Sequence, residues 1–306
     1  MINIKDKELK KLYGTVDFIF KKITHVREHL DIIFVFGKYA TDDSIRTTFM
    51  NFIAANNTTQ FQFITIETLY EDLVKYASPK KGVYAKKIAL ANLELNAIEN
   101  AYSILIFPES PGSFAELGYF SAIDSTREKI IVSNSINFYN EKSYVNSLIE
   151  LVHSYDREAS QIVLRNGDCS DDFNSYLDQL TMRYNNYENE IFINKNLKKH
   201  YMFSLAVIYE SIKLFPFLEY SELKSIIRYI FDKLGILKDN YDVYLSSMIS
   251  LLYISGLINR ETIDGKIIFT IIDNNFTCFK FGKFTEKQHE KILAVEMTIR
   301  ELKKIL

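Results

Sequence analysis

Apolar positions along this chain fall into two kinds of run. The first kind is short and unbroken: DIIFVFG (31–37), FQFITI (61–66), SILIF (103–107) and KIIVS (129–133). Runs of that length without polar alternation mark strands buried on both faces of a sheet. Between them apolar residues recur at helical spacing, which predicts helices over about 43–55, 67–78, 83–100 and 113–123. The breaker Ser78-Pro79-Lys80-Lys81-Gly82 separates the second from the third. Upstream, Leu9, Leu12, Val16, Ile19, Phe20 and Ile23 predict one or two amphipathic helices within 1–30. Strands alternating with helices imply a parallel sheet flanked by helices. Such sheets bind ligands beyond the carboxyl ends of their strands, near the point where strand order reverses.

The pattern changes after about residue 150. Residues 166–196 are polar and rich in Asn, Asp and Tyr, which suits a connector with short helices. Three helical patterns come next, Leu205 to Phe215, Leu223 to Leu234 and Tyr244 to Ile254. The middle one sets Leu223, Ile226, Ile227, Ile230, Phe231 and Leu234 on one face, with Gly235 as its C-cap and Gly256 ending the next helix. In LINRETIDGKIIFTI (257–271), Asp264-Gly265 joins two apolar runs as a hairpin turn would. Thr285-x-x-Gln288 opens a closing helix to Leu306 as a capping box. Three helices and then a hairpin is the layout of a winged helix-turn-helix domain. The chain thus divides into an N-terminal helical segment (1–30), an α/β domain (31–160), a connector (161–200) and a mainly helical C-terminal domain (201–306).

Composition narrows the classes. With 37 Lys and Arg against 39 Asp and Glu, the net charge of −2 excludes a strongly basic chain that coats nucleic acid. From residue 151 onward there are 20 basic and 21 acidic residues, and YDVYLSSMISLLY (241–253), the recognition-helix position of a winged helix, has no Lys or Arg. Basic residues gather instead at Lys195, Lys198, Lys199 and His200, and at Lys280, Lys283 and Lys287, which read either as contacts to phosphates or a partner or as solvated faces. Cys169 and Cys278 are the two cysteines, too few for a disulfide scaffold or a structural zinc. His25-Val-Arg-Glu28-His29 matches an inverted zinc-protease string but has no third ligand, so no metal is expected. No apolar run reaches the roughly 18–20 residues needed to span a bilayer. The N-terminal MINIKDKELKK has no apolar stretch behind it, so a cytoplasmic protein is expected.

Candidate chemistry concentrates in FPESPGSFAELGYFSA (107–122), on a strand-to-helix turn. Gly112 allows close backbone approach, and free N–H groups at the helix start can hold an anionic or hydroxyl-rich group. Glu116 falls in the expected first turn, where the helix dipole favours its ionised form. A carboxylate held there can attack an anomeric carbon. A second reading stays open, because Ser113-x-x-Glu116 is also a capping box in which the glutamate only reaches back to the cap N–H.

The segment resembles the nucleoside deoxyribosyltransferase pattern, with Gly112 and Ser113 at its Gly-Thr positions, Glu116 at the nucleophile and Leu117-Gly118-Tyr119 as its continuation. FPESPGSFAELG is more closely similar to the effector proteins of type II-A retrons, which join a deoxyribosyltransferase-like domain to a C-terminal winged-helix domain. The transferases carry an acid six residues before the nucleophile; here Ser110 stands there, with Glu109 one step earlier. The resemblance implies a Rossmann/flavodoxin-like sheet whose pocket is also lined by Gly37 and Tyr39, by Glu94 in NLELNAIENA as a sugar contact, and by Asn146 in KSYVN; the other readings are a loop tyrosine for Tyr39, a solvated helix charge for Glu94 and a turn former for Asn146. Arg46 has two readings, a phosphate contact or an exposed helix arginine. The implied activity is cleavage of an N-glycosidic bond of a nucleoside or nucleotide. NAD is a candidate substrate, and no cofactor is implied. The implied partners are a reverse transcriptase and its multicopy single-stranded DNA, together with further copies of the chain in a homo-oligomer. A rival class is a nucleotide-sensing, winged-helix DNA-binding regulator that cleaves nothing.

Overall fold

The computed structural model describes Tyr13 and residues 19–38, 44–77, 90–135, 144–153, 161–165, 169–185, 189–192, 201–216, 218–236, 241–263, 265–283, 285–290 and 292–294. In chain order its elements are β1 (Ile23–Val26), β2 (Leu30–Phe36), α1 (Ile45–Asn56), β3 (Gln62–Thr65), α2 (Ile66–Ala77), α3 (Leu90–Asn100), β4 (Ala101–Ile106), α4 (Pro111–Ser121), α5 (Asp124–Arg127), β5 (Ile130–Ser135), α6 (Tyr144–His153), β6 (Gln161–Leu164) and α7 (Ser170–Asn185). Then come β7 (Ile191–Phe192), α8 (Tyr201–Leu214), α9 (Tyr220–Leu234), α10 (Tyr241–Ile254), β8 (Ile258–Ile263), β9 (Lys266–Ile271) and β10 (Phe279–Phe281). The chain divides into two compact units, one of His29–Glu71 with Lys86–Glu188, the other of Met1–Glu28, Asp72–Ala85 and Asn189–Leu306.

The first unit is built on a five-stranded sheet in the order β3-β2-β4-β5-β6, parallel throughout. The unbroken apolar runs became strands because both faces are covered: Ile32 to Phe36 and Ile104 to Ile106 are all buried. Phe49 of α1, Phe107 after β4, and Phe173 and Tyr176 of α7 meet in one aromatic cluster against this sheet. Chain order reverses between β2 and β4, so their carboxyl ends flank the crevice where ligands bind in such sheets.

Two expectations are corrected. The polar stretch after residue 160 does more than connect, since it supplies the fifth strand and the long helix α7. Phe173, Tyr176, Leu177 and Leu180 recur at i, i+3, i+4 and i+7 and pack on Ile162 and Leu164, a stripe hidden by the Asn, Asp and Tyr around it. Ile23, read as helical, lies in β1, where it pairs with Phe281 of β10. Leu9, Leu12, Val16 and the expected helical residues 83–89 lie outside the described residues.

In the second unit β1 is the middle of a three-stranded antiparallel sheet, order β10-β1-β7. Gly235 closes α9 at φ 69°, and Gly265, at φ 75°, turns the β8–β9 hairpin, both conformations that favour glycine. Asp264 lies outside the described residues. Thr285 N–H donates to Gln288 Oε1 at 2.9 Å, as the capping-box spacing predicts. Arg260 of β8 forms a buried, two-pronged ion pair with Asp72 and lies over the Tyr253 ring at 4.0 Å. No described helix is long and apolar enough to cross a membrane.

Candidate active site

The segments leaving the carboxyl ends of β2 and β4 organise the site. Gly37 ends β2 in contact with α1; a Cβ there would lie 2.9 Å from Arg46 Cβ and 3.2 Å from Phe107 Cβ. The missing side chain is what lets α1 start so close, and it carries Arg46 inward. Arg46 is 5% exposed, contrary to its reading as an exposed helix arginine, and donates to Glu67 Oε1 at 2.9 Å. A buried guanidinium needs such a partner, because leaving the charge unpaired is costly. Glu67 stands in the first turn of α2, directly after β3. Sequence reasoning missed it, although an acid on the turn after a buried strand was its visible signal.

The loop after β4 is tied down by its own polar side chains. Ser110 is the N-cap of α4, accepting from Ser113 N–H at 3.2 Å, while Ser113 Oγ accepts from the N–H groups of Glu109 and Ser110 at 3.0 and 2.9 Å. Ser113 is fully buried and its hydroxyl is engaged within the loop. The capping box is therefore Ser110 with Ser113, not Ser113 with Glu116. This overturns the reading of Glu116 as a mere cap partner: Pro111 fits N1 and starts the helix two residues earlier than expected. Glu116 consequently stands in the second turn, so the first-turn stabilisation expected for its charge is absent too.

Burial acts on Glu116 in the opposite direction. Desolvation, then the negative charges of Glu94 and Glu67, push its carboxyl up to about 7, against a smaller lowering by Arg46. Its Oε2 is buried and has no hydrogen-bond partner. Glu94, on α3 and 6% exposed, is likewise pushed up to about 7, first by desolvation and then by Glu67. The structure thus brings Glu94 and Glu116 together with Arg46 and Glu67. Burial opposes the ionisation of both carboxyl groups, and the Glu94 charge adds to the effect on Glu116, so each is poised to exchange a proton near neutral pH.

The other expected residues are distributed differently. Glu109 is half-buried and its carboxylate accepts from the N–H groups of Ile45 and Arg46 at 2.8 and 3.0 Å, bridging the β4–α4 loop to α1. Gly112 is exposed, and a Cβ there would meet only Ser110 Oγ at 3.7 Å. Asn146 lies in α6 rather than in a turn, and its Oδ1 accepts from Asn134 Nδ2, on the end of β5, at 3.4 Å. Tyr39, Lys195, Lys198, Lys199 and His200 lie outside the described residues. Lys280 pairs with Glu190 at 2.5 Å, while Lys283 and Lys287 are exposed. Of the zinc-like string, His25 lies on β1 and the His29 ring meets Tyr102 edge-on at 4.7 Å. Among the described residues no group of three or more His, Cys, Asp or Glu side chains is placed to hold a metal ion.

The family model described as STM3845 retron effector protein matches residues 42–260, which include Arg46, Glu67, Glu94, Glu109 and Glu116. The chain belongs to the retron effector family. Two curated Escherichia coli proteins are similar to stretches of it. The protein named "Retron Ec86 putative ribosyltransferase/DNA-binding protein" is 32% identical over 111 residues, 36% of this chain and 33% of that protein. The retron Ec73 protein of the same description is 40% identical over 57 residues, 19% of this chain and 18% of its own length. The matched stretches thus span a third or less of these relatives. As a retron effector the chain is associated with a retron system and with antiviral defence, in agreement with the resemblance carried by residues 107–118.

Proposed function

We propose that this retron effector is an antiphage toxin that cleaves an N-glycosidic bond of a nucleotide or nucleoside, NAD among the candidates, with Glu116 as its nucleophile. The observation that carries this reading is the Glu116 carboxyl group. It stands beyond the carboxyl edge of the sheet, with one buried oxygen unpartnered and its ionisation opposed by burial. A group with those properties is poor at holding a fold together and well suited to reacting. The word ribosyltransferase in the names of the two relatives supports the same chemistry for this chain.

In the proposed step the bond from C1′ to the base nitrogen breaks and its electron pair leaves with the base. A bond from the ionised Glu116 oxygen to C1′ forms through an oxocarbenium-like transition state. Water then attacks C1′, gives its proton to a nearby base, and releases Glu116 with net retention. Glu94 holds the second titratable carboxyl in reach of that charge, as a sugar contact or as the group that takes the proton. A neutral nicotinamide leaves without needing a proton, which suits NAD. The Gly112 N–H has no protein partner among the described residues and is available to a sugar oxygen.

The proposed partners are a reverse transcriptase and its multicopy single-stranded DNA, which hold the effector in check in the cytoplasm, and further copies of the chain. Lys283 and Lys287 are exposed and can meet such a partner, whereas Lys280 is already paired with Glu190. The rival regulator reading is less well supported: Tyr244, Leu245, Met248, Leu251 and Leu252 bury α10, which has no basic side chain to offer a major groove. The test is to express wild type and Glu116→Gln with the neighbouring retron genes, challenge with phage, and follow nucleotide pools by mass spectrometry. Wild type is expected to deplete a pool and the variant to lose roughly 10³-fold or more of that turnover. Equal depletion by both removes Glu116 from the mechanism.

A further inference from the structure

In an α/β sheet, helix N-termini beside the reversal point are where phosphates are held, because their first N–H groups lack partners. Here the chain closes those of α1 itself and all but one of those of α4. At α1 the Ser44 hydroxyl accepts from Thr47 N–H at 3.0 Å, and Thr48 N–H reaches Ser44 O at 3.1 Å. The two remaining donors, Ile45 and Arg46 N–H, both go to the Glu109 carboxylate. At α4 Pro111 brings no N–H, Ser113 N–H goes to Ser110 Oγ and Phe114 N–H to Ser110 O, which leaves the Gly112 N–H as the one open donor among the described residues. The buried Arg46 cation described at the site is already bound by Glu67.

Glu109 is no ordinary cap. It reaches α1 from 63 and 64 residues away in sequence, although the local cap Ser44 is in place. Its own N–H is fixed at 3.0 Å by the buried Ser113 hydroxyl, so the side chain starts from a held position. The carboxylate thus does for α1 what a bound anion does elsewhere. We propose that Glu109 is a built-in substitute for a phosphate and the specificity-determining residue of the site, closing α1 to phosphate groups and leaving the crevice to uncharged or cationic portions of the substrate. Where a substrate carries phosphates, they lie away from α1. Glu94 and Glu116 act in the same sense once ionised, since like charges disfavour an anion beside them. The bearing on substrate choice rests on the proposed role of Glu116; the occupancy of α1 does not.

The test uses the full-length chain, isotope-labelled for amide NMR, with inorganic phosphate, ribose and ribose 5-phosphate as probes. In wild type the Ile45 and Arg46 amide signals are expected to ignore all three at these positions. In Glu109→Ala they should shift saturably with phosphate and ribose 5-phosphate but not with ribose, with roughly tenfold or greater gain in affinity over wild type. Thermal stability lost on substitution should return with phosphate and not with chloride at equal ionic strength. Glu109→Gln, which keeps one acceptor oxygen, carries the comparison should the alanine variant fail to fold. The proposal is overturned if wild type binds phosphate at Ile45 and Arg46 as tightly as a variant, or if a folded variant gains no affinity. Neither outcome involves turnover, so a failed Glu116 assignment leaves this result untouched.

Discussion

A carboxyl group that keeps its proton to about pH 7 sets a direction for the stability of the unit around it. Glu94 and Glu116 ionise near 7 in the folded chain, against 4.5 ordinarily. Between those values the folded state holds protons that the unfolded chain has released, so stability falls as pH rises from about 4.5 to about 7 and levels off above. This is opposite to a salt-bridged carboxylate, whose depressed value adds stability as pH rises. Glu94→Gln removes one of the two penalties while keeping the shape of the side chain. It is expected to raise stability at pH 8 by about 1–2 kcal/mol after allowance for solvent screening, and to change it little at pH 4.5. Urea unfolding at the two pH values measures both. An equal shift at both would show that Glu94 is not the source of the slope.

Glycine separates the two elements that frame the crevice. At the end of β2, Gly37→Ala must push α1 off the sheet, because the atom it strikes is Arg46 Cβ rather than a movable tip. A loss of about 1–3 kcal/mol is expected, together with displacement of Arg46 from Glu67. In α4, Gly112→Ala meets only an ordinary contact and is expected to leave the melting midpoint nearly unchanged while lowering turnover, if the sugar approaches that backbone. Thermal melts of the two variants side by side distinguish a packing glycine from an approach glycine. The same contrast explains what could be read from the sequence. DIIFVFG and SILIF announced β2 and β4 because a strand buried on both faces needs nothing but apolar residues. Four-residue QIVL (161–164) and the stripe of α7 were too short or too diluted by Asn and Asp to stand out. Glu116 was legible as a residue, but its place in the helix was not, since two serines at Ser110 and Ser113 both suit an N-cap and only the Pro111 position decides between them. Glu67 and Arg46 lie 21 residues apart, and pairing across that distance is set by the fold of β3 and α2.

On the scale of the molecule, sequence order and spatial order part company. The helices and hairpin after residue 201 read as a domain complete in themselves, yet the unit that contains them also holds β1 from the N-terminus and Asp72 from α2. The strand β1 is the central one of its sheet: His25 and Val26 pair with β7 on one side and with Lys280 and Phe279 of β10 on the other. Without it β10 loses its partner in that sheet, and the buried Phe279 loses the T-shaped contact with Phe20 at 6.1 Å. Without Asp72 the Arg260 side chain, 5% exposed, loses its two-pronged carboxylate partner in a buried place, a loss of about 3–5 kcal/mol in comparable pairs. A 201–306 fragment is therefore expected to lack a cooperative thermal transition, while a version carrying residues 19–28 on a flexible linker regains strand signal at β10. Hydrogen exchange at Phe279 and Phe281 reads this directly. Protection there in the bare fragment, equal to that in the full chain, would mean that α8, α9, α10 and the hairpin fold without the N-terminal strand.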